Sequence, residues 1–207
     1  GETYGGWLRS RIRRLIIPVL PLLVVWTLGG WIGLRLGLDW RMLQLASQVA
    51  LVPTWFLAAY VVIVTLAPAA LWLWERTRWW SIVAGVALAA LADVGSLGFD
   101  LVPVGFLNYV FVWGSVHQLG YAWLDGRLGG VGKRLLLAAI GLAATILLVT
   151  AGPYPVAMVG LDTAEVSNSY PPRVTLAFLG LFQAGLVLAF EQPLRRWLDR
   201  PRAWLGV

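Results

Sequence analysis

Cysteine is absent from the chain. Disulfides and thiolate metal sites are therefore excluded, and the redox compartment leaves no mark on the sequence. Histidine occurs once, as His117, and lysine once, as Lys133. One imidazole without neighbouring carboxylates does not make a metal site, so no metal is expected. Charge of either sign is scarce. Only 13% of residues are Asp, Glu, Lys or Arg, where a soluble domain carries about a quarter. Apolar residues fill 59% of the chain, and the mean hydropathy is +0.77. One buried core cannot absorb that excess, so a water-soluble globular domain is excluded and the partner is the lipid bilayer. In a soluble protein the formal charge of +6 would raise nucleic acid as a partner. In lipid it speaks to topology, and no nucleic acid is expected.

A membrane helix needs about 20 apolar residues to cross the hydrocarbon. Six segments are expected to do so, at 15–34, 55–74, 81–98, 104–123, 135–151 and 174–190. The third is interrupted by Asp93, Gly95, Ser96 and Gly98, which allows a broken or re-entrant helix. The basic residues test this division independently. Arg9, Arg11, Arg13, Arg14, Arg76, Arg78, Arg127, Lys133, Arg134, Arg195, Arg196, Arg200 and Arg202 fall on one set of alternate connections. Only Arg35, Arg41 and Arg173 fall on the other. Cytoplasmic connections carry the Lys/Arg excess, so both ends of the chain are expected in the cytoplasm. Tryptophan follows the same pattern, with Trp72, Trp74, Trp79, Trp80 and Trp123 at inner ends and Trp31, Trp40 and Trp55 near outer ends. The indole suits the headgroup boundary. The stretch 152–173, with Pro153, Pro155, Asp162, Glu165, Pro171 and Pro172, reads as a long outward loop. The expected fold is all-α: a polytopic bundle of about six membrane helices forming one partial domain over 1–207. Both ends look cut, without a signal peptide at the start, and the chain reads as an internal piece of a longer protein.

The strongest local signal is Arg9-Ser-Arg-Ile-Arg-Arg14 running into Leu15-Ile-Ile-Pro18. One reading is an anchor whose arginines reach lipid phosphates. The other rests on Arg11 and Arg14, three residues apart on one helix face, which can hold the phosphates of a coenzyme-A-like donor bidentately.

The segment 7–18 resembles the Arg-rich loop entering the third membrane helix of the acyltransferase-3 family, multi-pass membrane O-acyltransferases that modify surface sugars, lipids and antibiotics. Thr54-Trp-Phe-Leu-Ala-Ala-Tyr60 through Leu66-Ala-Pro68 is similar to that family's Trp-Phe-Leu…Tyr…Pro helix. Asn108-Tyr-Val-Phe-Val-Trp113 and His117-Gln-Leu-Gly-Tyr121 look like a helix of its actinobacterial members. Tyr170-Pro-Pro-Arg-Val-Thr175, Leu181-Phe-Gln-Ala-Gly185 and Pro193-Leu-Arg-Arg-Trp197 carry the likeness to the end. The resemblance implies transfer of an acyl group, acetyl being expected, from cytoplasmic acyl-CoA to a hydroxyl of a carbohydrate or lipid acceptor. No bound cofactor is implied, and the location is the bacterial cytoplasmic membrane. The bias of arginine over lysine agrees with a high-GC bacterial source. Arg11 and Arg14 match the family's Arg-x-x-Arg motif for the acyl donor. The family's signature Arg and catalytic His lie on a helix that precedes the Arg-rich loop. Nothing here matches them, so this piece alone is expected to be inactive.

His117 is the candidate for a base within the chain: a neutral imidazole can take the proton of an attacking hydroxyl. Its alternative role is an interhelical hydrogen bond near Ser115, Gln118 or Tyr121. Asp93 and Asn108 sit toward the outside of successive segments and are expected either to face one acceptor cavity or, for Asp93, to mark a helix break. A transporter with a polar path near Asp93 and His117 is the alternative function, although no inverted repeat is evident. Gly129-Gly-Val-Gly-Lys133 is similar to a phosphate loop, but Arg127 and Arg134 stand where that motif needs Gly and Ser or Thr. Gly29, Gly33 and Gly37 have the spacing of a close helix contact.

Overall fold

The computed structural model describes residues 3–158 and 167–194. Those residues form an all-α membrane helix bundle. The chain divides into two compact units, residues 1–67 and 68–207.

The first unit contains α1 (Tyr4–Ile16), α2 (Val19–Arg35) and the beginning of α3 (Trp40–Thr77). Thr3 caps α1 with a hydroxyl that accepts the Gly6 N–H at 3.4 Å, satisfying one free donor of the first turn. Pro18 has no N–H to continue the helix and marks the joint with α2. The turn from α2 to α3 depends on Gly37, whose φ of +86° is a left-handed geometry that glycine adopts without penalty. There the Leu38 N–H donates to Gly33 O at 2.9 Å, while Asp39 starts α3 by accepting the Arg41 N–H at 2.9 Å. Long α3 spans 38 residues, so the expected outer connection shrinks to a short turn, and Trp40 and Arg41 sit in the helix's first turn. The side chains of 54–56 and 58, and with them most of the Trp-Phe-Leu motif and Trp55, lie outside the described residues.

The second unit contains the rest of α3, α4 (Trp79–Asp93), a π-helical turn (Val94–Gly98), single-turn α5 (Val102–Gly105), α6 (Asn108–Leu124), α7 (Val131–Ala151) and α8 (Val174–Ala189). The segment around Asp93 is helical throughout, without a break. It runs as one 20-residue helical stretch, Trp79–Gly98, that widens into the π turn immediately after Asp93. Arg78, with φ +51°, turns the chain sharply between α3 and α4. The core lies between α4, α6 and α8: Ile82, Leu119 and Leu181 pack with Trp74 in one cluster, and Ala89, Val112, Val174 and Ala177 form the other.

Six spans are expected from the sequence. Four helical stretches among the described residues are long and apolar enough to cross a membrane: Tyr4–Arg35, Ala59–Thr77, Trp79–Gly98 and Val131–Ala151. Val174–Ala189 is a shorter apolar helix, and α6 has 17 residues with Asn108, His117 and Gln118 among them. Large apolar side chains cover the outside, including Val25, Leu91, Leu136, Leu147 and Val187. Such a surface suits hydrocarbon and would associate in water.

Trp74 departs from its expected place at the headgroups. It is 1% exposed, and its indole N–H donates to Asp125 Oδ2 at 2.8 Å. Trp72 and Trp80, in contrast, are well exposed, and the Arg76 guanidinium stacks 3.9 Å above the Trp72 ring.

Candidate functional site

Helix α1 carries Arg9, Arg11, Arg13 and Arg14 and no acidic residue. Helical spacing places Leu8, Ile12 and Leu15 along one half-buried side and the arginines around the other. Tyr4, Trp7 and Arg11 form a file: the two rings stack with centroids 5.9 Å apart, and the Arg11 guanidinium lies 5.6 Å from the Trp7 centroid. The Tyr4 hydroxyl donates to Thr65 O at 2.6 Å, tying α1 to α3 within the first unit. Arg14 lies one turn beyond Arg11 and borders a shallow groove of about 430 Å³ with Arg9, Ser10 and Arg13. The two residues of the Arg-x-x-Arg motif thus have different surroundings.

The second unit builds a dense polar node around Asp93, which is 1% exposed. Asp93 Oδ1 accepts from Asn108 Nδ2 at 2.8 Å and from Arg173 Nη1 at 3.1 Å. Oδ2 accepts the Val174 N–H at 2.8 Å and the Tyr154 hydroxyl at 3.1 Å. Arg173 Nη1 also donates to Ser96 Oγ at 2.5 Å, and Asn108 Nδ2 also donates to Ala89 O at 3.3 Å. One carboxylate therefore joins the end of α4, the start of α6, the start of α8 and the loop after α7. Burial pushes the Tyr154 phenol above its ordinary range, and the adjacent Asp93 charge pushes it the same way.

Asp93 and Asn108, expected from the sequence to share a location, do meet. Asn108 is fully buried and hydrogen-bonds to Asp93 directly, and Asp93 already accepts four protein hydrogen bonds. Sequence reasoning missed Arg173, Ser96 and Tyr154. A signal was present: a carboxylate within an apolar segment needs a cation, and Arg173 is one of only three basic residues assigned to that side.

His117 lies on α6 with its ring edge-on to Tyr121, the centroids 5.0 Å apart and the planes at 87°. Its Nδ1 is buried and has no hydrogen-bond partner among the described residues. Two of the neighbours expected to join it bond elsewhere: Ser115 Oγ donates to Phe111 O at 2.7 Å, and Gln118 Nε2 donates to Ala70 O at 3.0 Å. At the opposite end of the second unit from Asp93, Asp125 collects Trp74 and Arg78, the latter at 2.7 Å. Arg134 donates to Leu128 O at 2.8 Å and to Leu188 O at 2.5 Å, and pairs with Glu191 at 3.4 Å. The glycine-rich stretch 129–133 is thus the approach to a side chain that satisfies one carbonyl in the connection between α6 and α7 and one at the end of α8. Among the described residues no three His, Asp or Glu side chains gather as a metal site.

The family model described as an acyltransferase domain of the acyltransferase-3 type matches residues 1–207. The chain belongs to the acyltransferase-3 family. It is therefore a membrane acyltransferase, of the kind that transfers acyl groups other than aminoacyl groups. No curated protein and no solved structure matches it. For an acyltransferase the two polar regions pose separate questions. The α1 face offers cations without acids. The Asp93 node offers a carboxylate whose lone pairs are occupied, which unfits it to accept a substrate proton without rearrangement.

Proposed function

We propose that this acyltransferase moves an acyl group, acetyl in the first instance, from cytoplasmic acyl-CoA to a hydroxyl of a carbohydrate or lipid acceptor in the bacterial cytoplasmic membrane. The observation that carries the reading is the α1 face, with four arginines and no acid, in a chain matched by the acyltransferase family along its length. Arg11 and Arg14 hold donor phosphates, since guanidinium forks match phosphate oxygens. In the reaction the acceptor oxygen attacks the thioester carbonyl. The C–S bond breaks, the C–O bond forms, the hydroxyl proton passes to a base, and the thiolate leaves to take up a proton. His117, the single imidazole of the chain, is the candidate base within it. Asp93 and Asn108 serve the acceptor side by fixing the helix ends rather than by exchanging protons.

The test is transfer of labelled acetyl from acetyl-CoA in membranes carrying the intact protein. Arg11→Ala and Arg14→Ala each lower turnover by a factor of about 100 or more, as expected for loss of a charge-assisted anchor worth about 3 kcal/mol. Membrane insertion remains at the wild-type level. Undiminished turnover in both variants defeats the donor role.

A further inference from the structure

Helices α2 and α3, joined through the turn at Gly37, are held together at two levels. Near the turn Gly33 is buried, and a Cβ there would lie 2.9 Å from Leu38 Cδ1 and 3.4 Å from Leu43 Cδ2. Farther along, the Trp26 indole N–H donates to Ser47 Oγ at 2.9 Å, and that hydroxyl donates to Leu43 O at 2.7 Å. Alongside these contacts runs a groove of about 430 Å³, walled by Trp26, Gly30, Trp31, Leu34, Trp40 and Gln44. Trp26 and Leu34 are about 12 Å apart along α2. At Gly30 no described atom lies within 4 Å of where a Cβ would stand, so the groove crosses bare backbone. Its volume is that of a small-molecule site.

The walls are mostly apolar, and the charge stands at the rim next to the turn. Trp31 and Trp40 are exposed, and the Arg35 guanidinium lies 5.2 Å from the Trp31 ring centroid. The ion pairs among the described residues do not include Arg35. Asp39, in the same turn, accepts the Arg41 N–H, and no Asp or Glu lines the groove. The basic-residue bias puts this turn on the external side, where indoles settle at headgroup depth. A cation at that depth, beside an apolar trough descending toward the hydrocarbon, matches an anionic head on an apolar chain. A free phosphate leaves the trough unfilled, and an uncharged apolar helix leaves Arg35 without a counter-ion.

We propose that the groove between α2 and α3 is a lipid site of the outer leaflet. One acyl chain of an anionic glycerolipid lies over Gly30 between Trp26, Trp31 and Trp40, and the lipid phosphate pairs with Arg35. The site uses none of the α1 arginines and stands whether or not they hold the acyl donor.

The experiment uses the full protein in phosphatidylcholine nanodiscs containing a phosphatidylglycerol with a photoactivatable diazirine in one acyl chain. After irradiation, cross-linked peptides are mapped by mass spectrometry in wild type, Gly30→Leu, Arg35→Gln and Gly29→Leu. Gly30→Leu fills the groove with a better helix former than glycine, and Gly29→Leu is the control, with open space around it among the described residues and no part in the groove. In wild type the probe is expected on peptides spanning 26–47. Gly30→Leu lowers that yield about tenfold, the worth of two chain methylenes displaced from the groove, while Gly29→Leu leaves it unchanged. Unlabelled phosphatidylglycerol displaces the probe from wild type about fivefold better than added unlabelled phosphatidylcholine analogue, the worth of one basic residue at an anionic lipid surface. In Arg35→Gln that preference disappears. Equal cross-linking of these peptides in wild type and Gly30→Leu overturns the site, and equal competition by the two lipids in wild type overturns the role of Arg35. A benzophenone side chain introduced at Leu34 captures whatever fills the groove: a phospholipid adduct supports the proposal, and a chain-to-chain dimer overturns it.

Discussion

At the scale of single residues the decisive feature is Asp93. Removing a charge from water costs several kcal/mol, and a buried pair is tolerated only when the remaining lone pairs and protons are also satisfied. Here Arg173 supplies the opposite charge, while Asn108, Tyr154 and the Val174 N–H complete the acceptor sites. Arg173→Leu leaves the carboxylate buried without its cation and is expected to destabilise the protein by about 3 kcal/mol. Asp93→Leu/Arg173→Leu, with both charges removed, is expected to recover more than half of that loss. Unfolding in detergent, followed as a double-mutant cycle, measures the coupling. Additive losses, with no recovery in the double variant, would show that the pair is not coupled. The sequence made part of this node legible: Asp93 and Asn108 were recognisable as polar residues at one depth. Arg173 was not, because its spacing from Asp93 reflects the docking of α8 beside α4, which no local pattern encodes. The arginines of α1 were legible as a group, but their division into a stacked Arg11, one turn from Trp7, and a grooved Arg14, two turns from it, was not.

At the scale of elements, hydropathy located the helices well and their limits less well. Apolar runs mark where lipid begins, but they do not mark where a helix ends. Thus α3 extends back to Trp40 through polar Gln44, Ser47 and Gln48, and the Gly95-Ser96-Leu97-Gly98 run continues as a π turn instead of breaking. Helix pairing was also invisible. Of the Gly29, Gly33 and Gly37 series, Gly33 is buried against Leu38 and Leu43, whereas Gly29 has open space around it among the described residues; α7 and α8 pack through Gly141 and Gly185, which no such spacing marks. A Cβ on Gly185 would lie 2.6 Å from both Ala138 N and Arg134 O, and one on Gly141 would strike the backbone of Phe178 and Phe182. Without a hydrophobic force between helices in lipid, such backbone proximity carries the association. Gly141→Ala and Gly185→Ala should each cost about 1–3 kcal/mol, because backbone has to move to admit the methyl group. Gly29→Ala should be neutral or slightly stabilising. Thermal unfolding of the three variants side by side measures the ranking, and a Gly29→Ala loss as large as the other two would refute the packing argument.

At the scale of the whole molecule, the asymmetry of basic residues sets an orientation that the absence of cysteine makes straightforward to measure. In the second unit, Arg78, Arg127 and Arg134 gather near the end of α3, the end of α6 and the start of α7. The Asp93 node and Tyr154 occupy the opposite helix ends. The positive-inside bias assigns the Arg-rich end to the cytoplasm, since translocating Lys and Arg is disfavoured while Asp and Glu count for little. The same assignment puts the node, with its single arginine neutralised by Asp93, on the external side. Because the chain has no cysteine, one introduced thiol reports one position. Val156, 81% exposed in the loop after α7, and Leu124, 74% exposed at the end of α6, are accessible without disturbing an ion pair. In intact cells a membrane-impermeant maleimide should label Val156→Cys and leave Leu124→Cys unmodified. After the cells are opened both should react. Labelling of Leu124→Cys alone in intact cells would refute the cytoplasmic assignment of the Arg-rich end of the second unit.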